Sequence, residues 1–330
     1  MSELRHDVLT GRLVLLAPAR GARPDTHAPA GPAGRQAGRA TTAVTRPCPF
    51  CPGHEHETPP EVARVPPTPA GEAADGPGWR VRVVPNLYPI IGGADPGPGA
   101  SGAHEVAILS PDPSATFGDL ADDQAIDVLM VLRERARAQA AAGHAHSQVL
   151  INQGKAAGAS IEHPHAQLLA LDFVPPAVTV AVDRFAAQGS DPVLADQADA
   201  AGAEQHVVAG DAVQAWCPTG AASPFETRIA VTDGGTRLED ATDGQVFGIA
   251  LVLRDVLAAL GHTLDTADER APYNVVLHNG PAHDDVAYHW WISIVVRTAA
   301  VAGFEMGTAI LVNTVDPRDA ASALRDALPG

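Results

Sequence analysis

Residues 152–167 read Asn-Gln-Gly-Lys-Ala-Ala-Gly-Ala-Ser-Ile-Glu-His-Pro-His-Ala-Gln. His163 and His165 stand one residue apart in a segment read as extended, so both imidazoles project from one side of it. Ahead of them, Gly154 and Gly158 make a turn whose backbone amides are free to face an anion. A neutral imidazole can attack a phosphoryl centre and leave again, so a histidine here can store a nucleotidyl group as a phosphoramidate. Gln167 follows two residues later. Its amide donates hydrogen bonds but cannot serve as a general acid or base near pH 7. The competing reading is a pair of structural histidines buried on a strand.

Outward from this stretch the chain repeats itself. Segments rich in Val, Ile or Leu and bounded by Gly, Pro or Asn predict strands at Leu13–Leu16, 79–84, 105–109, 147–151 and 166–173. The apolar stripe Ile126, Leu129, Met130 and Leu132 predicts a helix over 119–142. The same order then recurs. Strands at 212–216 and 226–231 precede a helix with Val246, Ile249, Leu253, Val256, Leu257 and Leu260 at helical spacing, and strands at 274–277 and 289–296 follow it. His163 lies 11 residues after Asn152, as His289 lies 11 after His278, and the same offset carries His165 onto Trp291. The expected fold is α+β: residues 1–182 and 183–330 are two copies of one unit sharing an antiparallel sheet with helices packed on it. The stretch near 183–203 is expected to link them. Gly-, Pro- and Ala-rich segments at 20–47 and 59–78 read as extended loop.

Composition narrows the partners. A chain of 330 residues with a formal charge of −17 lacks the clustered Arg and Lys that track a nucleic-acid backbone. A small phosphorylated substrate must therefore be held by local positive groups. Lys155 is the only lysine, and it reads as a solvated turn residue or a phosphate contact. Three cysteines, two of them as Cys48-x-x-Cys51, make no disulfide framework for this length, which fits a reducing cytoplasm. No signal-peptide pattern opens the chain and no run of 18 apolar residues occurs, so no membrane role is expected.

The pattern Asn-x-Gly-x-x-Ala-Gly-Ala-Ser-x-x-His-Pro-His-x-Gln resembles the active-site signature of the galactose-1-phosphate uridylyltransferase family, the transferase branch of the histidine-triad superfamily. The likeness extends along nearly the whole length. Residues 11–24 look like the family's first strand with its paired arginines, Cys48-Pro49-Phe50-Cys51 like its zinc knuckle, and Val84-Pro85-Asn86-Leu87-Tyr88-Pro89 like its nucleotide-side loop. Phe225-Glu226-Thr227 and Gly303-Phe304-Glu305 also match. The resemblance implies His165 as nucleophile and Gln167 as a donor to the phosphoryl oxygens. It implies substrate contacts at Arg20, Arg23, Asn86, Asn152, Gly158, Ser160, Phe304 and Glu305. It further implies nucleotide sugar and sugar 1-phosphate as substrates, with UDP-glucose and galactose 1-phosphate first in line. The sequence leaves open whether the chain forms a homodimer.

Metal ligation departs from the family pattern. Cys48, Cys51 and His163 match three ligands of a single structural zinc site, but the fourth position holds Pro113. Asp112, His54 and His56 are the candidate replacements; a redox role for the two cysteines is the alternative. A second metal site, present in some members, would need a glutamate after the His-Pro-His strand and a His-x-His in the second half. Here residues 177–182 contain no glutamate, and the second-half pair is His289 and Trp291. Two further functional readings stand beside the uridylyltransferase. One is a phosphorylase that passes the nucleotidyl group to phosphate, favoured by apolar Leu311 where the uridylyltransferase has a sugar-binding glutamine. The other is a non-catalytic nucleotide- or zinc-binding relative.

Overall fold

The computed structural model describes residues 2–18, 48–68, 74–93, 95, 97, 99–188, 191–267, 269–297 and 302–329. Thirteen strands and six α-helices are found among them. In the first half, β1 (Glu3–His6) and β2 (Leu13–Leu16) are followed by β3 (Ala63–Val65), β4 (Val81–Pro85), β5 (Gly102–Ile108), α1 (Asp122–Ala141), β6 (His146–Gln153) and β7 (His165–Leu171). Two helices come next, α2 (Pro176–Gln188) and α3 (Pro192–Gly202). The second half runs β8 (His206–Ala209), β9 (Val213–Trp216), β10 (Thr227–Val231), α4 (Asp243–Leu264), β11 (Tyr273–His278) and β12 (Trp291–Val296). The chain closes with α5 (Gly303–Thr308), β13 (Leu311–Asn313) and α6 (Pro317–Asp326).

Ten strands form one antiparallel sheet in the order β3-β4-β5-β7-β6-β11-β12-β10-β9-β8. Read from either edge, the order of elements is the same, so the sheet has a local twofold between β6 and β11. The register agrees with the offset read from the sequence. Ile151 pairs with Ala166, and 126 residues later Leu277 pairs with Ile292. At the twofold itself Leu150 pairs with Val276, its own counterpart. The α+β expectation with two fused units in one sheet holds. A separate three-stranded sheet, β1-β2-β13, pairs β13 with β2 in parallel.

One face of the large sheet packs on helices. Along β7, Ala166, Leu168 and Ala170 enter the main core with Val128, Leu129 and Leu132 of α1, while Val246, Ile249, Leu253, Val256, Leu257 and Leu260 of α4 fill its second half. Helix α4 is long and apolar enough by composition to cross a bilayer, but its stripe is buried against the sheet, as an amphipathic core helix requires. Strand alternation sends the other set, His165, Gln167 and Leu169, to the opposite face. Smaller clusters cover that face: Phe50, Trp79, Val84, Val106 and Ile108 in the first half, and Phe185, Trp216, Tyr288 and Trp291 in the second.

The stretch expected to link the halves, 183–203, is largely helix, covered by the end of α2 and by α3, and the loop expected at 59–78 is interrupted by a strand. Asp191 caps α3 by accepting from the amides of Val193 and Leu194, with Pro192 in its first turn, a start signal readable in the sequence. Within 59–78, Ala63–Val65 forms edge strand β3 because Arg64 and its neighbours find register with β4. The boundary between residues 182 and 183 falls inside α2.

Candidate active site

His165 begins β7, directly after a proline whose carbonyl accepts from the amide of Leu109. The residue before a proline is kept out of the helical region, which restricts His163, and the strand pairing of β7 holds His165 extended. The Nδ1–H of His165 donates to the carbonyl of His163 at 2.9 Å. That bond places the ring proton on Nδ1 and leaves the lone pair on Nε2, which among the described residues is neither hydrogen-bonded nor sealed off. Burial lowers the pKa of His165, against a smaller opposing effect of that bond, so the ring is neutral at physiological pH. Phe50 packs edge-on against it with ring centroids 5.5 Å apart. The arrangement presents a neutral, oriented imidazole nitrogen to a cavity of about 220 Å³.

That cavity is also lined by Asn86, Ser160 and Gln167, with Val84, Leu87 and Tyr88 making an apolar wall. Gln167 lies two residues along the same face, and its Oε1 accepts from Nε2 of His104 at 2.9 Å. His104, on β5, is buried, and burial lowers its pKa. Asn86 accepts the amide of Tyr88 at its Oδ1 and lays its Nδ2 against His104, so it shapes the loop after β4 as well as lining the cavity. Asn152 is on β6, where Leu150 pairs with Gln167; continuing that register brings Asn152 level with His165. Its Oδ1 accepts from Nδ2 of Asn274 on β11, which also donates to the carbonyl of Ala157. The Nδ2 of Asn152 is thereby directed toward Gly158, which has φ +90° and closes the turn at Lys155–Ala157. Lys155 is exposed on that turn.

Behind His165 sits the thiol pair. Nε2–H of His163 donates to the carbonyl of Ser110 at 2.7 Å, which leaves the Nδ1 lone pair aimed at Cys48 and Cys51, each Sγ 3.7 Å away. Two thiols and an imidazole with the correct tautomer, all within 4.8 Å of one another, suit a thiophilic divalent ion, and the carbonyl partner on the far ring nitrogen is the usual support of a ligand histidine. Burial and the neighbouring Cys48 raise the Cys51 pKa; a bound cation would supply the compensation that a thiolate lacks here. Among the described residues this group contains three members; Asp112, His54 and His56 do not join it. Asp112 accepts from the Ser114 amide and hydroxyl, and His54 is bonded to Glu57. His163 links the two sites: its ring faces the thiols while its carbonyl orients His165.

The sequence-derived residues divide accordingly. His165, Gln167, Asn86 and Ser160 share one cavity, with Asn152 and Gly158 beside it and Cys48, Cys51 and His163 behind. Arg20 and Arg23 lie outside the described residues. Phe304 and Glu305 are on α5; Phe304 is exposed, and Glu305 lines a different cavity, of about 310 Å³, together with Arg12, Glu226, His278 and Leu311. A larger cavity of about 450 Å³ opens at His278 and Trp291, the counterparts of Asn152 and His165. There Trp291 stacks on His278 at 4.4 Å, while Nε2 of His278 is paired with Ser293 and Nδ1 of His289 with Asp191. In the smaller cavity Nε2 of His165 stands free among the described residues beside the Gln167 amide and the Ser160 hydroxyl, whereas Nε2 of His278 at the larger one is taken by Ser293. His104 and Asn274 were not anticipated: each is an isolated polar residue on a strand, with significance only through a partner distant in sequence.

Comparison with known proteins agrees with this geometry. A sequence profile described as the N-terminal domain of galactose-1-phosphate uridyl transferase matches residues 96–175, and one described as a domain of unknown function, DUF4921, matches residues 139–329. An ADP-glucose phosphorylase from Arabidopsis thaliana is 30% identical over 346 residues, covering 98% of this chain and 92% of that one. Its crystal structure with bound ADP-glucose superposes with a TM-score of 0.81 over 99% of both chains, at 29% identity. A uridylyltransferase structure gives 0.71 at 25% identity over 99% of this chain and 98% of the other. The galactose-1-phosphate uridylyltransferase of Haemophilus influenzae is 28% identical over 64% of this chain and 62% of its own. With the His-Pro-His-x-Gln strand, the thiol pair and the doubled sheet in place, the chain belongs to the galactose-1-phosphate uridylyltransferase family of the histidine-triad superfamily.

Proposed function

We propose that the protein is a nucleotidyltransferase working by double displacement at His165. Nε2 attacks the α-phosphorus of a nucleotide sugar, the bond from that phosphorus to the bridging oxygen breaks, and sugar 1-phosphate leaves with the electron pair. In the second step an acceptor phosphate oxygen attacks the same phosphorus and the N–P bond breaks, returning a neutral imidazole. The observation that carries this reading is the Nδ1–H bond to the His163 carbonyl, which commits Nε2 as a lone-pair donor beside the cavity. Gln167, Ser160 and Asn152 are the donors for the phosphoryl oxygens as charge builds in the transition state. Cys48, Cys51 and His163 would hold a zinc ion that would order the knuckle, and His163 would pass that order to the nucleophile through its backbone.

Adenylyl transfer from ADP-glucose to inorganic phosphate is the favoured form of this chemistry. The support is the near-complete coverage shared with the Arabidopsis phosphorylase, set against about two thirds shared with the Haemophilus uridylyltransferase, together with apolar Leu311 on the acceptor-side segment. Uridylyl transfer from UDP-glucose to galactose 1-phosphate is the second reading, kept by the family signature. Incubation with ADP-glucose or UDP-glucose, each labelled in the nucleoside monophosphate, followed by denaturation, identifies the donor. Chasing the adduct with phosphate or galactose 1-phosphate identifies the acceptor. Retention of neither label as an acid-labile, alkali-stable adduct would refute the covalent mechanism.

A further inference from the structure

We propose that His104 is a positioning residue for Gln167: it fixes which end of the Gln167 amide faces the reacting phosphate. This rests on the nucleotidyl-histidine reading above. A glutamine amide has two nearly isosteric orientations, and only one presents its NH₂ to a phosphoryl oxygen. The choice is made on the neighbouring strand. The Ile90 amide, which can only donate, lies 3.3 Å from Nδ1 of His104. Nδ1 must therefore accept, and the ring proton sits on Nε2, 2.9 Å from Oε1 of Gln167. The Tyr88 amide fixes the oxygen of Asn86 in turn, so the Asn86 NH₂ faces the His104 ring; with the proton on Nε2 it can donate only to Nδ1, at 3.4 Å, beside the Ile90 amide, and its 3.1 Å approach to Nε2 is a contact and no hydrogen bond. His104 is only 6% exposed, which confines the ring to this pose.

With Nε2–H held at its oxygen, the Gln167 amide cannot turn over without bringing two donors into contact. Its NH₂ is consequently left for the cavity that it shares with Ser160 and Nε2 of His165, and it makes no other bond among the described residues. Donation into the carbonyl also polarises the amide and strengthens its N–H groups as donors. Gln167 occupies the third place of the His-x-His-x-Gln series, so a third imidazole still serves the site from behind the glutamine.

The test is a double-mutant cycle on the rate of labelled adduct formation from ADP-glucose and, in parallel, from UDP-glucose, in the full-length protein. His104→Phe should slow adduct formation by about tenfold at saturating donor, the scale of one lost orienting hydrogen bond, with KM changed by less than about twofold. Gln167→Ala should slow it about 10²-fold, and the double variant should match Gln167→Ala within about twofold. His104→Gln, whose amide nitrogen can reach the place of Nε2, should recover to within about threefold of wild type. Three results would overturn the proposal: a wild-type rate in His104→Phe, multiplicative losses in the double variant, or a loss tracking melting temperature that His104→Gln does not rescue. A wild-type protein that forms no adduct with either donor refutes the covalent reading and this inference with it; an adduct unaffected by His104→Phe refutes this inference alone.

Discussion

Asn274→Ala tests whether the second half of the sheet holds the first half's active site in place. In the native protein, Nδ2 of Asn274 on β11 donates to Oδ1 of Asn152 at 2.7 Å and to the carbonyl of Ala157 at 2.8 Å. The truncation removes both bonds and leaves two part-buried acceptors. At about 0.5–1.5 kcal/mol net per bond, the folded state should lose about 1–3 kcal/mol. The catalytic effect is separate and can be bounded. Asn152 would lose the contact that selects its amide orientation, worth about 1 kcal/mol, so the rate of adduct formation should fall about fivefold to tenfold. Asn152→Ala, which removes the donor itself, should cost about 10²-fold. Urea unfolding and single-turnover labelling measure the two effects independently. Destabilisation with an unchanged single-turnover rate would refute the claim that Asn274 orients a catalytic amide, and a larger loss than in Asn152→Ala would show that Asn274 acts directly.

Trp291→His restores a histidine at the counterpart of His165 but removes an indole stacked with Phe185, Tyr288 and His278. It should destabilise by about 2–4 kcal/mol and leave labelling at one nucleotide per chain; two per chain would contradict the assignment of His165 as the single nucleophile. Stability should also depend on His278, whose pKa is pushed down to about 3 by burial and the facing Arg228 and Arg12 charges. The unfolded chain protonates this group near pH 6.5 while the folded one does not, so its effect is absent above that pH and destabilisation grows as pH falls toward 3, at up to about 1.4 kcal/mol per pH unit. His278→Asn should flatten that part of the curve of unfolding free energy against pH, and an unchanged slope would refute the assignment. Elemental analysis should find at most one zinc per chain, with chelation lowering both melting temperature and adduct formation. Two metals per chain, or full activity without any, would contradict the structural role given to Cys48, Cys51 and His163.

The parts of this molecule that are written locally were readable, and those that depend on a distant partner were not. The active-site strand and the paired halves appear in the sequence because His-Pro-His-x-Gln and the 126-residue offset are carried by consecutive residues and regular spacing. Helices α1 and α4 show through their apolar stripes. Helix α3 was missed although the Asp191-Pro192 start signal was present, because its 11 residues offer only Val193 and Leu194 as large apolar side chains from which a period could be read. Strand β3 is three residues long and exists only through pairing with β4. The same distinction holds in the site. His165, Gln167 and the thiol pair lie in motifs, whereas His104 reaches Gln167 across 63 positions and Asn274 reaches Asn152 across 122.

The central claim is that His165 carries the nucleotidyl group. The most direct measurement is peptide mass spectrometry on protein incubated with ADP-glucose in the absence of acceptor and digested under alkaline conditions. A single adenylyl group on the peptide containing His165, discharged by added phosphate and absent from His165→Asn, is the predicted result. A label on any other residue, or full phosphorolytic turnover in His165→Asn, would contradict it.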